Sequence, residues 1–207
     1  MKCVRCSFDI SKLSPNGLCP NCVVETGEKI EGKKRIAQKL PVDVTLEELL
    51  KIMQVSRMKH HRLAYFIAWY TGSRISEVLN LEPRDINWKD KTMLIRQGKN
   101  SKDRIVRLPR DFIEPMTSLM PLKNIIKPRA LQKAFKKDCL NAGILAYKPS
   151  VHFHSLRHGF ATHCLEKGME IQNIQMLLGH ADISMTMRYA HVRPIKALNQ
   201  QEEKFYG

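Results

Sequence analysis

The sequence predicts a mainly α-helical fold with one small antiparallel β-sheet, an α+β domain behind a short cysteine-rich module. Three observations carry that prediction. Apolar residues recur at helical spacing in most segments between Val42 and Arg193. Thr92 to Gln97 and Arg104 to Leu108 look like two strands, and the Gly98-Lys99-Asn100-Ser101-Lys102-Asp103 connection between them has the composition of a hairpin turn with a basic tip. Four of the six cysteines fall within the first 22 residues.

Those four cysteines form two pairs, Cys3-Val4-Arg5-Cys6 and Cys19-Pro20-Asn21-Cys22, separated by a 12-residue insert. Each pair sets two thiolates on one tight turn, and two such turns facing each other complete a tetrahedron. A closed four-sulfur site has no open position, so its metal is structural. Zinc is the favoured ion; iron in a rubredoxin-like site and disulfide pairing are the alternatives. Phe8, Ile10, Leu13 and Leu18 are too few for a core, so residues 1–27 would fold as a zinc ribbon stapled by the metal. Residues 28–42 form a basic linker.

The helices follow in order. Thr45-Leu46-Glu47-Glu48 is a capping box, and Leu46, Leu49, Leu50 and Met53 continue at helical spacing. A second helix runs through His61 to Tyr70 and stops at Gly72. A third starts near Ser73, carries Arg74 and Glu77, and is bounded by Pro83. After the hairpin, a helix runs from Pro128 to Gly143, with Leu131, Phe135 and Cys139 on one face. Another covers His154 to Lys167, ended by Gly168. Ile171, Ile174, Leu177 and Leu178 mark the next, ended by Gly179. A short helix from Ser184 to Ala190 carries Tyr189, and Pro194 closes it. Cys139 and Cys164 fall in helical segments and are expected to be small buried side chains.

Thirty-five Lys and Arg against 20 Asp and Glu give a net charge of +15 and a pI near 9.7. A polyanionic partner, nucleic acid first, is the simplest explanation. The basic residues are spread over Lys29–Lys39, Lys99–Arg110 and Lys123–Lys137, which suits a surface following a duplex backbone. No apolar run approaches the roughly 18 residues of a membrane span, and the N-terminus lacks the apolar stretch of a signal peptide. The expectation is a soluble cytoplasmic, nucleoid-associated protein.

Between Val151 and Val192 stand His154-Ser155-Leu156-Arg157-His158, then Leu178-Gly179-His180, then Tyr189 nine residues later. Upstream stand Arg74-Ile75-Ser76-Glu77 and the hairpin lysine Lys99. In this order the motifs resemble the tyrosine recombinase (phage integrase) family, and the resemblance covers Val42 to Arg193. Singly, each has a plainer explanation. Arg74 and Glu77 could be an exposed helix pair, Leu-Gly-His a helix C-cap, and Tyr189 a half-buried aromatic. His154 and His158 could suggest a metal pair, though Arg157 between them would repel a cation. The joint order overrides these separate explanations.

The resemblance implies a catalytic domain over residues 43–193 that breaks and rejoins double-stranded DNA. Tyr189 would attack the phosphodiester and form a 3′-phosphotyrosine, releasing a 5′ hydroxyl. Arg74 and Arg157 would fork onto the phosphate oxygens, meeting the charge that builds in the transition state. His180 would add a hydrogen bond. His154 would take the tyrosine proton, and Lys99 would protonate the leaving oxygen, with Lys102 as its rival. Glu77 would position Arg74 or its helix, and His158 would orient the phosphate-binding helix. Neither ATP nor a catalytic metal is required, and a tetramer on paired DNA sites is implied.

Family members usually carry a helical core-binding domain of roughly 100 residues ahead of the catalytic part; here only about 40 residues precede it, and they hold the cysteines. The expectation is that the ribbon and linker supply the substitute DNA contact. Residues 194–207 could offer Ile195, Leu198 and Phe205 as an apolar face to a neighbouring subunit, or form a frayed tail. Two further functions share these residues: a type IB topoisomerase, and a DNA-binding accessory or regulatory protein with a relict fold. The intact set Arg74, Lys99, His154, Arg157, His180 and Tyr189 argues for the recombinase, and integration or excision of a mobile element is among the events it could serve.

Overall fold

A computed structural model describes residues 41–96 and 103–179. Cys3, Cys6, Cys19 and Cys22, the hairpin tip with Lys99 and Lys102, and everything from His180 onward, including Tyr189, lie outside the described residues. What is described is mainly helical with a small antiparallel sheet.

Helix α1 (Leu46–Val55) begins where the sequence placed it. The Glu48 backbone N–H donates to Thr45 Oγ1 at 3.2 Å, and the Thr45 N–H donates to Glu48 Oε2 at 2.8 Å. These bonds satisfy two donors that the first helical turn would leave unpaired. Helix α2 (Lys59–Thr71) is buried continuously from Leu63 to Trp69, so it forms the centre of the domain rather than a surface stripe. It packs against α1, α3 (Ile75–Asn80), α4 (Pro128–Asn141) and α5 (His154–Glu166). Gly72 ends α2 with φ +64°, where a Cβ would also strike the Leu178 and Phe160 side chains.

The sheet has the order β1-β2-β3. Strand β2 (Thr92–Ile95) pairs antiparallel with β3 (Arg104–Arg107), with Thr92 opposite Arg107 and Ile95 opposite Arg104. Both strands are shorter than predicted. A two-residue strand β1 (Ile86–Asn87), not anticipated from the sequence, pairs with the outer side of β2. Residues 109–127 cross back through two 3-10 segments, Glu114–Leu119 and Leu122–Asn124.

The core is built on α2 and α4. Phe135 is fully buried, with Tyr65 and Phe153 edge-on at 5.2 and 5.8 Å between ring centroids. Truncating such a side chain to alanine typically costs about 3–5 kcal/mol. The Tyr65 hydroxyl finds Asp138 Oδ2 at 3.0 Å, which removes the cost of burying it bare. Cys139 and Cys164 are free and buried as expected, and burial pushes their thiols up to about 12 and about 11. Helix α6 (Ile171–Leu178) seats Ile174 and Leu178 against Ala161, Cys164 and Leu165 of α5.

One close approach fixes α5 against the start of the domain. The Trp69 indole N–H donates to the Val44 carbonyl at 2.7 Å, and the Val44 N–H donates to the Ser155 carbonyl at 3.1 Å. Gly159 lies where a Cβ would drive into that same Val44 oxygen and crowd the indole nitrogen. Its lack of a side chain lets α5, which carries His154 and Arg157, lie flat on this segment. Among the described residues no helix is long and apolar enough to cross a membrane.

Candidate active site

Of the six residues expected to carry the chemistry, Arg74, His154 and Arg157 are described. Arg74 occupies the N-cap position of α3, just after the turn that ends α2. That turn is locked by hydroxyls. Thr71 Oγ1 donates to the Ile67 carbonyl at 2.6 Å and shares a 2.7 Å bond with Ser73 Oγ, and both residues are buried. Arg74 emerges beyond them with its side chain 34% exposed. Its Nη1 donates to Glu77 Oε1 at 2.8 Å, and its backbone N–H donates to Glu77 Oε2 at 2.9 Å.

Glu77 is not the exposed helix partner it could have been. It is buried, and its Oε2 also accepts from Arg104 Nη2 at 2.8 Å. Burial alone would raise its pKa. The hydrogen bond and charge of Arg104, then the bonds from Arg74, outweigh that effect and hold the carboxyl below its ordinary value. Glu77, expected to position Arg74 or its helix, is bonded to both the backbone and the guanidinium of Arg74.

Arg157 is 1% exposed. Its Nη1 donates to the Gly72 carbonyl and its Nη2 to the Leu178 carbonyl, each at 2.7 Å. Both acceptors lie at helix C-termini, where unpaired carbonyls and the helix dipole favour a cation. One guanidinium therefore joins the end of α2 to the end of α6. Arg74 lies two residues beyond the first acceptor, and His180 two residues beyond the second.

His154 opens α5. With Arg74, Ile75, Ser76, Gln132, Lys136, His152 and Phe153 it lines a cleft of about 460 Å³. Burial first, then the Arg157 guanidinium, His152 and Arg74, push its pKa down to about 4. The ring is open to solvent along the cleft, and water offsets part of the burial. The two guanidinia act in the same direction, so the imidazole is neutral at pH 7 and able to accept a proton. Its centroid lies 4.8 Å from that of His158 and 6.3 Å from that of His152. No group of three His, Cys, Asp or Glu side chains suited to hold a metal occurs among the described residues.

Gln132, Lys136, His152 and Arg104 were not singled out in the sequence. The first two stand one turn apart on α4, inside the basic stretch already noted. Lys136 Nζ donates to the Pro149 and Val151 carbonyls at 2.7 and 3.2 Å, tying α4 to the segment that leads into α5. Another cavity, about 730 Å³, lies among Leu50, Met53, Leu63, Phe66, Met116 and Leu119. Its lining is mostly apolar, with Gln54, Lys59, Arg62 and Ser118 as its polar members.

Residues 43–195 match the phage integrase family. The chain belongs to that family. Its relatives include the tyrosine recombinase XerA of Thermococcus onnurineus, 32% identical over 198 residues, covering 87% of this chain and 68% of that protein. The tyrosine recombinase XerA of Pyrococcus furiosus is 33% identical over 186 residues, covering 81% of this chain and 63% of that protein. The chain thus spans about two thirds of the length of these relatives. Among solved structures, a XerA recombinase superposes with a TM-score of 0.64 at 25% identity, over 82% of this chain and 66% of that one. XerH site-specific recombinase bound to a palindromic difH substrate, a post-cleavage complex, gives 0.65 at 26%, over 79% of this chain and 53% of that one.

Proposed function

We propose that this phage integrase family member is a site-specific DNA recombinase, breaking and rejoining duplex DNA through a covalent bond between Tyr189 and a 3′ phosphate. The family match over residues 43–195 carries this reading, because it contains Arg74, Lys99, His154, Arg157, His180 and Tyr189 in order. The cleft supports it by placing a guanidinium and a neutral imidazole on one wall system.

The chemistry then runs as follows. Arg74 and His180 donate to the non-bridging oxygens, and Arg157, held by the Gly72 and Leu178 carbonyls, adds its positive charge to meet what accumulates there. Tyr189 gives its proton to His154 and its oxygen bonds to phosphorus. The bond from phosphorus to the 5′ oxygen breaks, and Lys99 supplies the proton that leaves a 5′ hydroxyl. A 5′ hydroxyl from another strand reverses the step, so no ATP is consumed and no catalytic metal takes part. Double-stranded DNA is the substrate, a homotetramer on paired sites is the working assembly, and movement of a mobile element is one event it would serve. Cys3, Cys6, Cys19 and Cys22 hold one structural zinc in a ribbon over residues 1–27, for which their spacing is the support. Elemental analysis of the purified chain should find one zinc per protein, and a metal-free folded chain would refute the ribbon.

The deciding experiment uses a randomised pool of nicked duplexes, in which a short 5′-hydroxyl fragment diffuses away and traps the intermediate. The wild-type chain should form an SDS-resistant adduct. Tyr189→Phe should form none while still retarding DNA. An adduct with the phenylalanine variant would refute the nucleophile, and no adduct with wild type would refute the recombinase.

A further inference from the structure

Strand β3 has the polarity of its first two residues inverted, while Val106 is buried and Arg107 exposed as alternation expects. It lies at the edge of the sheet, where alternation would turn apolar side chains inward and charges outward. Instead Arg104 faces inward, 8% exposed, and its neighbour Ile105 faces outward, 65% exposed. Burying a guanidinium is unfavourable unless its donors are met. The pairing of Ile95 with Arg104 fixes this orientation, so the fold holds the arginine inside at a cost.

The contacts of Arg104 converge on the candidate active site. Its Nη2 donates to Glu77 Oε2 at 2.8 Å, and its Nε donates to the Leu177 carbonyl at 2.6 Å. Glu77 in turn holds both the backbone and the guanidinium of Arg74. Two cations on one carboxylate leave the trio positive. Without Arg104, Glu77 and Arg74 would form a neutral pair, and the carboxylate would be free to follow the Arg74 guanidinium. Leu177 lies three residues before His180, and β3 is the return strand of the hairpin that carries Lys99.

We propose that Arg104 is a positioning residue of this site: by holding Glu77 from the buried side, it leaves the trio with a net positive charge and keeps the Arg74 guanidinium aimed into the cleft. The proposal rests on the recombinase reading above. Arg104 touches no substrate; it acts through Glu77 on Arg74. Its removal should therefore slow the chemical step far more than it weakens DNA binding.

The test uses the full chain and the duplex that the wild type recovers from the nicked pool. Arg104→Met should slow single-turnover adduct formation by about 10–100-fold, the usual range for a residue that orients a functional group. Equilibrium binding to the same duplex should stay within about twofold. Arg104→Lys, which keeps a cation but cannot fork to both acceptors, should recover part of the rate. The signature that a merely structural role would not give is a linkage effect. With a methylphosphonate at the scissile position, one non-bridging charge is gone and less is asked of Arg74. The penalty of Arg104→Met should then shrink toward nothing.

A cleavage rate within about twofold of wild type overturns the proposal, as does an equal penalty on both linkages. If Arg104→Met does not fold, as judged by circular dichroism, Arg104→Lys carries the same comparison of linkages, and indifference to the linkage overturns it. Absence of any adduct with the wild type is a separate failure. It removes the recombinase reading, and with it any site for Arg104 to position.

Discussion

Arg74 and Arg157 are two guanidinium groups assigned to the same phosphate, and the fold holds them in opposite ways. Arg74 is one-third exposed and anchored by a side chain, the Glu77 carboxylate. Arg157 is buried and anchored by backbone, the carbonyls that end α2 and α6. The first arrangement leaves a cation that can turn toward a ligand. The second makes the cation part of the frame, because the chain entering Arg74 and the chain leaving toward His180 are both tied to it. A site that must bind a polyanion thus divides its cations between one that reaches out and one that fixes the walls.

Substitution should break this comparison cleanly. Arg157→Met removes the donors to two buried carbonyls, each of which costs about 1–3 kcal/mol when left bare. The expected loss is about 2–5 kcal/mol in urea unfolding, together with loss of adduct formation. Arg74→Met should change stability by less than about 1 kcal/mol, because the bond is part-exposed and Glu77 keeps Arg104. It should nonetheless slow cleavage by about 100–1000-fold, the scale of losing one donor to a developing oxyanion. Equal destabilisation by the two variants would show that the division does not exist.

The same contrast explains what was legible in the sequence. The Thr45 capping box and the glycines that end helices, Gly72 and Gly179, are local devices whose partners lie within a few residues, and they appear where they were placed. The pairing of Arg74 with Glu77, three residues apart, is of the same kind. Arg104 was invisible because its meaning lies in Glu77, 27 residues away, and Leu177, 73 residues away. Its one local signal was an arginine and an isoleucine on the wrong faces of a strand. Arg157 was found through its motif, but its two carbonyl partners lie 85 and 21 residues off, so its burial could not be foreseen. Strand β1 was missed because two residues carry no period; its pairing with β2 defines it.

The smallest effect gives the sharpest comparison of the two arginines. The charges of both lower the pKa of His154, Arg157 more than Arg74, after burial. A histidine at its ordinary value near 6.5 would lose most of its neutral form between pH 7 and 5.5, and a base-dependent rate would fall by about eightfold. With the pKa down near 4, His154 stays neutral over that span. The acid side of the cleavage profile should be flat to about pH 5 and fall only below it. An eightfold fall by pH 5.5 would show that His154 is not the base or that its pKa is not lowered. NMR titration of the His154 ring separates those two outcomes and needs no substrate. Relieving a nearby positive charge favours the imidazolium, so Arg74→Met should raise the titration midpoint toward its ordinary value. Arg157→Lys, which keeps a cation at the buried position, should move it less. If the lysine variant moves it more, the cation sensed by His154 is defined by the fork to Gly72 and Leu178 rather than by charge alone, and Arg157 sets the proton affinity of the base by the same contacts that set the walls.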